Sequence, residues 1–426
     1  MRTNVKLFFI LAIVGTLAVS LSSTSHAETA EELKQKITSK AEEIKQLEVE
    51  IKKYQEQIGT LGTEKVTLKK LITELDLTRK KLETELRITK VNVDATSLQI
   101  DQLGSQIFIK EREISSRRES LGEMIRLVHE RDVSSLPTIV LSHDSLSDFL
   151  NNIESLNQFN EAVQENVALL KGYKTDLQNK QGAREVEKKK LLNFKDELSD
   201  RKKIVEVNKN DKAQLLTETS NQESSYKKIL VKKVALKDAF EKELDEYEST
   251  LKFILDPSLI PPRGVNVFSS PLDNPYITQR FGKTSASGRL YVSGSHNGVD
   301  FRAPLGTPVK AMASGTVIGS GNTDLTCRGA SYGNWILIRY NNGLSSVYGH
   351  LSLVKGVEGQ TVSAGDVVAY SGNTGYSTGP HLHVSLYASS AVTVKTLPSR
   401  SCDGRMYTLP MAAPNAYLDL LDYFIF

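Results

Sequence analysis

A seven-residue apolar repeat between Ile44 and Ile107 commits the first half of this chain to long helices. One register holds Ile44, Ile51, Ile58, Ile72, Leu86, Val93, Ile100 and Ile107. The other, three residues on, holds Leu47, Tyr54, Leu61, Leu68, Leu75, Leu82 and Leu103. A stripe this narrow is covered by another helix with the same pattern, so the repeat predicts a coiled coil. Lys65, Arg79, Thr89, Thr96 and Lys110 interrupt the seam without shifting its register. The pattern continues through Ile114, Leu121 and Val128 and breaks at Ser134-Ser135-Leu136-Pro137, where proline stops a helix. Ser145-x-x-Asp148 has the spacing of a helix start, and a second polar helical stretch runs from there to Leu255. The simplest architecture is an antiparallel hairpin arm over 28–255 with its tip near 131–144. A helix of ~100 residues extends about 150 Å, so such an arm reaches or docks; a dimeric rod, and hence a homo-oligomer, is the other use of the same pattern.

Composition changes near Pro257. From Glu28 to Pro262 there are 40 basic and 43 acidic residues, with Pro137 the single proline before Pro257; a segment this polar builds no ordinary globular core. From Arg263 onward come 20 of the 27 glycines and the sole tryptophan, Trp335. Asp256-Pro257-Ser258-Leu259-Ile260-Pro261-Pro262 stiffens the junction. Beyond it, glycine-punctuated apolar runs at 316–318, 335–340, 344–348, 367–370 and 381–387 read as strands of a compact antiparallel sheet. A helical period returns at Tyr417 to Phe424. The expected organisation is therefore α plus β: 1–27 a signal segment, 28–255 the coiled-coil arm, 256–264 a proline-rich linker, and 265–426 a mostly antiparallel β domain.

Met1 to Ala27 has a basic start at Arg2 and Lys6, an apolar run from Leu7 to Leu21 and the small-residue site Ser25-His26-Ala27, the pattern of export to the periplasm, envelope or exterior. The run is short for a membrane span of about 20 residues. Removing this segment takes two basic groups and leaves a net charge of about +1, which argues against a charge-driven partner such as nucleic acid. The only cysteines, Cys327 and Cys402, form an even pair in an oxidising compartment and suggest a disulfide. It closes a 75-residue loop, worth about 4 kcal/mol in the chain-entropy model.

Four of the seven histidines lie between His296 and His383. They fall in Gly294-Ser295-His296-Asn297-Gly298-Val299-Asp300-Phe301, in Tyr348-Gly349-His350-Leu351 and in Gly379-Pro380-His381-Leu382-His383-Val384. Imidazole nitrogen and carboxylate oxygen are zinc donors, and a catalytic zinc keeps three protein ligands with a fourth position open to water. Two imidazoles and one carboxylate leave positive charge on the metal, enough to acidify that water toward neutral pH. In a strand His381 and His383 share a face while Leu382 points into the core, so one can bind metal while its neighbour handles protons. His26, His129 and His143 lie outside this cluster.

These three segments resemble the LytM and lysostaphin family of zinc endopeptidases, over roughly residues 265 to 426. The resemblance implies a compact antiparallel β fold with a groove, a Zn2+ cofactor, and hydrolysis of cross-link or stem-peptide bonds in peptidoglycan. Residue by residue it implies that His296, Asp300 and His383 are the metal ligands. It leaves His350 and His381 as unligated catalytic imidazoles, suited to proton transfer and oxyanion stabilisation. Family members also use an upstream tyrosine, for which Tyr291 is the nearest candidate. The sequence departs from the family pattern in an expanded loop at 322–332, containing Cys327, and an insertion at about 388–413, containing Cys402. An arm preceding a LytM-like domain is similar to the EnvC type of cell-division protein, implying docking on a membrane complex. Such domains can lack the ligands and activate another hydrolase instead; here all five residues are present, which favours an enzyme. Immediately before the linker, Leu230, Val234, Phe240, Leu244, Tyr247 and Leu251 are spaced to pack either on the groove or on the first helix of the arm.

Overall fold

The structure is a computed structural model and describes residues 30–61, 67–131, 146–251, 253–254, 256–284, 294–377 and 379–424. The export segment, most of the expected arm tip, Ser145 and Tyr291 lie outside the described residues. Four helices come first: α1 (Ala30–Leu61), α2 (Leu68–Arg131), α3 (Leu146–Thr219) and α4 (Glu223–Ser249). The heptad register predicts one helix across residue 65, a position that lies outside the described residues, and an unbroken second stretch to Leu255, which is instead divided after Thr219. Between α3 and α4, Ser220 and Asn221 both take left-handed backbone angles, φ 48° and 56°, which no right-handed helix can absorb. The side chain of Glu223, first in α4, accepts from the backbone N–H of Leu68, first in α2, at 2.8 Å, meeting one of the amides a helix start leaves unsatisfied.

Contacts divide the chain into two compact units, residues up to 38 with 101–180, and residues 39–100 with 181–426. Within the first, α2 and α3 run antiparallel: Lys180 donates to Gln106 at 3.1 Å, Arg117 donates to Asn166 at 3.1 Å, and Lys110 lies 4.3 Å over the Tyr173 ring. Within the second, the same two helices pair through Arg201 to Glu85 at 2.7 Å and Lys212 to Asp76 at 2.5 Å. Thr89 and Thr96, polar at seam positions, are nonetheless buried. Thr89 turns its hydroxyl to the Glu85 carbonyl one turn back, at 3.2 Å, so its oxygen is satisfied without breaking the seam.

The C-terminal part of the second unit is built on antiparallel strands. An eight-stranded sheet runs β1 (Ile277–Gln279), β2 (Val299–Arg302), β10 (His381–Ala388), β6 (Leu344–Gly349), β5 (Asn334–Tyr340), β4 (Gly315–Asn322) and β8 (Thr361–Val362), with β13 (Tyr417–Leu418) also on β10. A second sheet orders β3 (Pro308–Lys310), β9 (Val367–Ser371) and β7 (Leu351–Val354). A separate hairpin pairs β11 (Thr393–Pro398) with β12 (Met406–Met411). Val299, Phe301, Ile336, Ile338, Tyr348, Leu382 and Val384 fill the core between the layers. The helical period at 417–424 does not make an α-helix: β13 is followed by a single 3-10 turn, Leu420–Asp422. Leu418, Leu420, Tyr423 and Phe424 go into the core, and a segment of that length gains little from helix formation alone. Cys327 and Cys402 are joined, with Cα atoms 5.7 Å apart.

Two faces of this β domain carry helices of the same unit. Leu82 of α2 and Ile204 and Val205 of α3 pack with Leu305 and Tyr370, while Lys355 reaches Asp196 at 2.8 Å and Asp200 at 2.7 Å. Helix α4 covers a different face. Among the described residues no helix is long and apolar enough to cross a membrane.

Candidate metal centre

The register of three neighbouring strands places the site. β10 lies between β2 and β6, pairing His383 with Asp300 on one side and with Gly349 on the other. His350 follows Gly349 at the corner into β7, held at φ 60° with its N–H on the Tyr332 carbonyl at 2.7 Å. Non-glycine residues in this backbone region are uncommon and gather at functional sites. His296 precedes β2, its backbone bridged to Gly282. Gly298, between them, is required by space: a Cβ there would lie 2.6 Å from Cε1 of His383 and 2.5 Å from the Val384 carbonyl.

Nε2 of His296 faces Nδ1 of His383 at 3.2 Å, and Oδ1 of Asp300 lies 3.3 Å from the first and 2.8 Å from the second. Ligand atoms on a tetrahedral zinc with bonds of 2.0–2.1 Å sit ~3.3 Å apart, so this trio has the spacing of three corners of such a site. The opposite nitrogens are turned outward: Nδ1 of His296 donates to the Arg280 carbonyl at 3.1 Å, and Nε2 of His383 pairs with the Ser385 hydroxyl at 2.8 Å. With protons on those outer nitrogens, two ring lone pairs and a carboxylate oxygen converge, an arrangement a cation stabilises. Burial alone would raise the Asp300 carboxyl, but in the metal-free site, where inner-nitrogen protons on His296 and His383 donate to it, those hydrogen bonds outweigh burial and hold the group well below the usual carboxylate range. Burial lowers the His383 imidazole, favouring the neutral ligand form.

The other two imidazoles stand beside the trio. The His350 and His381 ring centres are 4.6 Å apart, and Nε2 of His381 lies 3.8 Å from Oδ1 of Asp300. His350 donates from Nδ1 to the Thr374 carbonyl at 2.8 Å, and His381 from Nδ1 to the Gly379 carbonyl at 2.8 Å. Each is thereby fixed in the tautomer whose Nε2 carries a lone pair. Burial, reinforced by His381 and His383, pushes the His350 imidazole well below its ordinary value, so it rests neutral.

Several supporting residues escaped the sequence reading. Ser385 lies two positions beyond His383, on the same strand face, and strand periodicity could have flagged it. The Arg280 and Thr374 carbonyls carry no side-chain signal. Tyr332, buried with its ring 5.7 Å from His383 and its hydroxyl 3.1 Å from that of Tyr387, is visible only once the strands are assembled. The same holds for α4, whose Lys237, Phe240, Glu241, Leu244, Asp245 and Glu248 line one cavity of about 300 Å³ with all five sequence-identified residues. Of the six apolar positions noted in that segment, Leu230 and Val234 are instead exposed.

The sheet thus carries a His, Asp, His trio at zinc spacing beside two further imidazoles. Residues 294–394 match peptidase family M23, and the C-terminal part of this chain is a LytM-type M23 peptidase domain. Over 88 residues the chain is 46% identical to a protein of Neisseria meningitidis serogroup B named DD-carboxypeptidase/endopeptidase Mpg, covering 21% of this chain and 19% of that one. Over 91 residues it is 42% identical to the peptidoglycan DD-endopeptidase ShyA of Vibrio cholerae, covering 21% and 20%. Over another 91-residue match it is 43% identical to lysostaphin of Staphylococcus simulans, covering 21% and 17%. The chain thus spans about a fifth of the length of these curated relatives. Among solved structures, the catalytic domain of lysostaphin from Staphylococcus simulans aligns at 36% identity over 27% of this chain and 81% of that chain, with a TM-score of 0.24. A zinc-containing peptidase from Vibrio cholerae aligns at 27% identity over 38% and 40%, with a TM-score of 0.26.

Proposed function

We propose that this chain is an exported zinc endopeptidase that hydrolyses cross-link or stem-peptide bonds of peptidoglycan, in wall remodelling or daughter-cell separation. The observation that carries the reading is the convergence of Nε2 of His296, Oδ1 of Asp300 and Nδ1 of His383 beside two further imidazoles with their Nδ1 protons already committed. His296, Asp300 and His383 would hold the zinc. Bound there, zinc supplies a Lewis acid that acidifies water and polarises a peptide carbonyl. The protein would supply the proton traffic: Nε2 of His350 or His381 accepts a proton from the attacking water and, while protonated, donates a hydrogen bond to the oxyanion of the scissile carbonyl. It then gives that proton to the leaving amine as the carbonyl re-forms and is restored to its starting state. The Mpg and ShyA names support the substrate class, and the amino-terminal pattern Met1–Ala27 supports export. The arm would dock the enzyme on a membrane division complex or on a second copy.

The test is to load the mature chain with zinc, confirm its metal content, and incubate it with purified peptidoglycan while muropeptides are identified by mass spectrometry. Cleaved peptide bonds are expected, abolished by chelation. Full zinc occupancy with no cleavage, while the chain stimulates a separate wall hydrolase, would favour a non-catalytic activator.

A further inference from the structure

We infer that a file of hydroxyls, Ser385, Tyr332, Tyr387 and Tyr417, positions the metal centre: it ties the outer nitrogen of His383 to the carboxyl of Glu248 and so sets how firmly His383 binds zinc. Its bearing on zinc rests on the proposed metal centre; the contacts themselves do not.

The file can be followed group by group. Nε2 of His383 meets the Ser385 hydroxyl at 2.8 Å. Ser385 is fully buried and in turn hydrogen-bonds the Tyr332 hydroxyl. That hydroxyl lies 3.1 Å from the hydroxyl of Tyr387, and both tyrosines hydrogen-bond Tyr417. Tyr417 donates to Oε1 of Glu248 at 2.7 Å. Strand periodicity assembles half of this: His383, Ser385 and Tyr387 alternate along β10 and share one face of the sheet. Tyr417 is the cross-strand partner of Tyr387, with ring centres 4.7 Å apart. Glu248 comes from the last turn of α4, a helix whose Phe240 packs among Cys327, Cys402, Tyr407 and Met411.

The protons in the file run one way. For Nδ1 of His383 to hold a metal, the ring proton sits on Nε2 and is donated to Ser385. Ser385 is left with its own proton to give, and Tyr332 receives it. The Tyr332 oxygen also accepts from Nδ2 of Asn297, at 3.3 Å, so both its acceptor sites are filled and its proton passes to the next tyrosine. The last proton in line reaches a carboxyl oxygen. Hydrogen bonds arranged head to tail in a low-dielectric interior polarise one another, so the far acid strengthens the hold on the ligand. The same domain contains a contrasting cluster. Tyr340 meets Ser346 at 2.5 Å and Tyr348 at 2.7 Å, and Tyr348 accepts from the Met312 backbone N–H at 3.1 Å. Those hydroxyls brace the core; the Tyr332 file joins a ligand to an acid.

The test uses the full chain and removes single oxygens. Tyr332→Phe and Tyr417→Phe break the file near each end while keeping the rings, and Tyr340→Phe is the buried control. Two quantities are read: the zinc dissociation constant, by competition with a chromogenic chelator, and the visible absorption of cobalt(II) bound in place of zinc, which follows ligand geometry and donor strength. The file predicts about tenfold weaker zinc binding and shifted cobalt bands for Tyr332→Phe. Tyr417→Phe is expected to shift the same bands with a smaller loss, and Tyr340→Phe to change neither reading. Adding Tyr332→Phe to Ser385→Ala is expected to cost nothing further, because the two act through one contact. Unchanged affinity and bands in Tyr332→Phe, an equal loss in Tyr340→Phe, or additive losses in the double variant would each overturn the file. Parent readings in Tyr417→Phe would overturn its link to Glu248. If the parent binds zinc and cleaves no peptidoglycan, the hydrolase reading fails while zinc affinity and the cobalt bands still decide the file.

Discussion

His383 is fixed from every side: Nδ1 toward Asp300, Nε2 on Ser385, backbone between Asp300 and Gly349, and Gly298 directly against its ring. If His296, Asp300 and His383 are the ligands, replacing any one with alanine is expected to abolish both zinc content and hydrolysis, measured by metal analysis and muropeptide release. His350→Ala and His381→Ala are expected to keep their zinc and lose about 10² or more in rate, the scale of a general acid or base; loss of zinc from His381→Ala with retention in His383→Ala would reverse the pair. Ser385→Ala is expected to weaken zinc affinity about 10–100-fold, because a partner on the outer nitrogen orients a ligating imidazole, and competition with a chelator reads that directly. The four histidines and Asp300 stood out as candidates because side-chain type and spacing are visible in sequence, and the fold brings all five to one cavity. Ser385, Tyr332 and the Arg280 and Thr374 carbonyls were not, because their roles exist only after β2, β6 and β10 come into register.

Helix α4 shows what periodicity leaves open. Its apolar positions fit a coiled-coil seam as well as a groove, and what settles the matter is a surface built by two inserted segments distant in sequence. The apolar pattern likewise carried helix type but not helix ends: the break at 220–222 comes from left-handed Ser220 and Asn221, which an apolar register does not record. Replacing both cysteines with serine is expected to cost about 4 kcal/mol by the chain-entropy account and to loosen α4, read by denaturant unfolding and amide exchange. Burial, the leading cause, lifts the Glu248 carboxyl from its ordinary value to about 7, against opposing hydrogen bonds from Tyr417 and Ala412 and with a small contribution from Asp245. The folded state therefore holds this proton more tightly than the unfolded state. Its contribution to docking is full below pH ~4.5 and is lost as pH rises through about 7. Exchange of α4 is expected to quicken across that window, and Glu248→Gln to flatten the dependence.

Across the chain, helices and sheet are distributed as the change in composition near Pro257 implies, a polar heptad half and a glycine-rich β half. Sequence could not show that they are so closely joined: α2 and α3 pack on one face of the β domain through Leu82 and Ile204, and α4 on another. Those contacts are tertiary, made by residues that read equally well as ordinary seam. If the proposed reading holds, the chain hydrolyses peptidoglycan through the cavity that His296, Asp300, His350, His381 and His383 line. The most direct measurement is the muropeptide profile of purified peptidoglycan treated with the chain at full zinc occupancy. New free amines at a cross-link or stem-peptide bond, absent after chelation and absent with His383→Ala, are the expected result. An unchanged profile with zinc bound would contradict it.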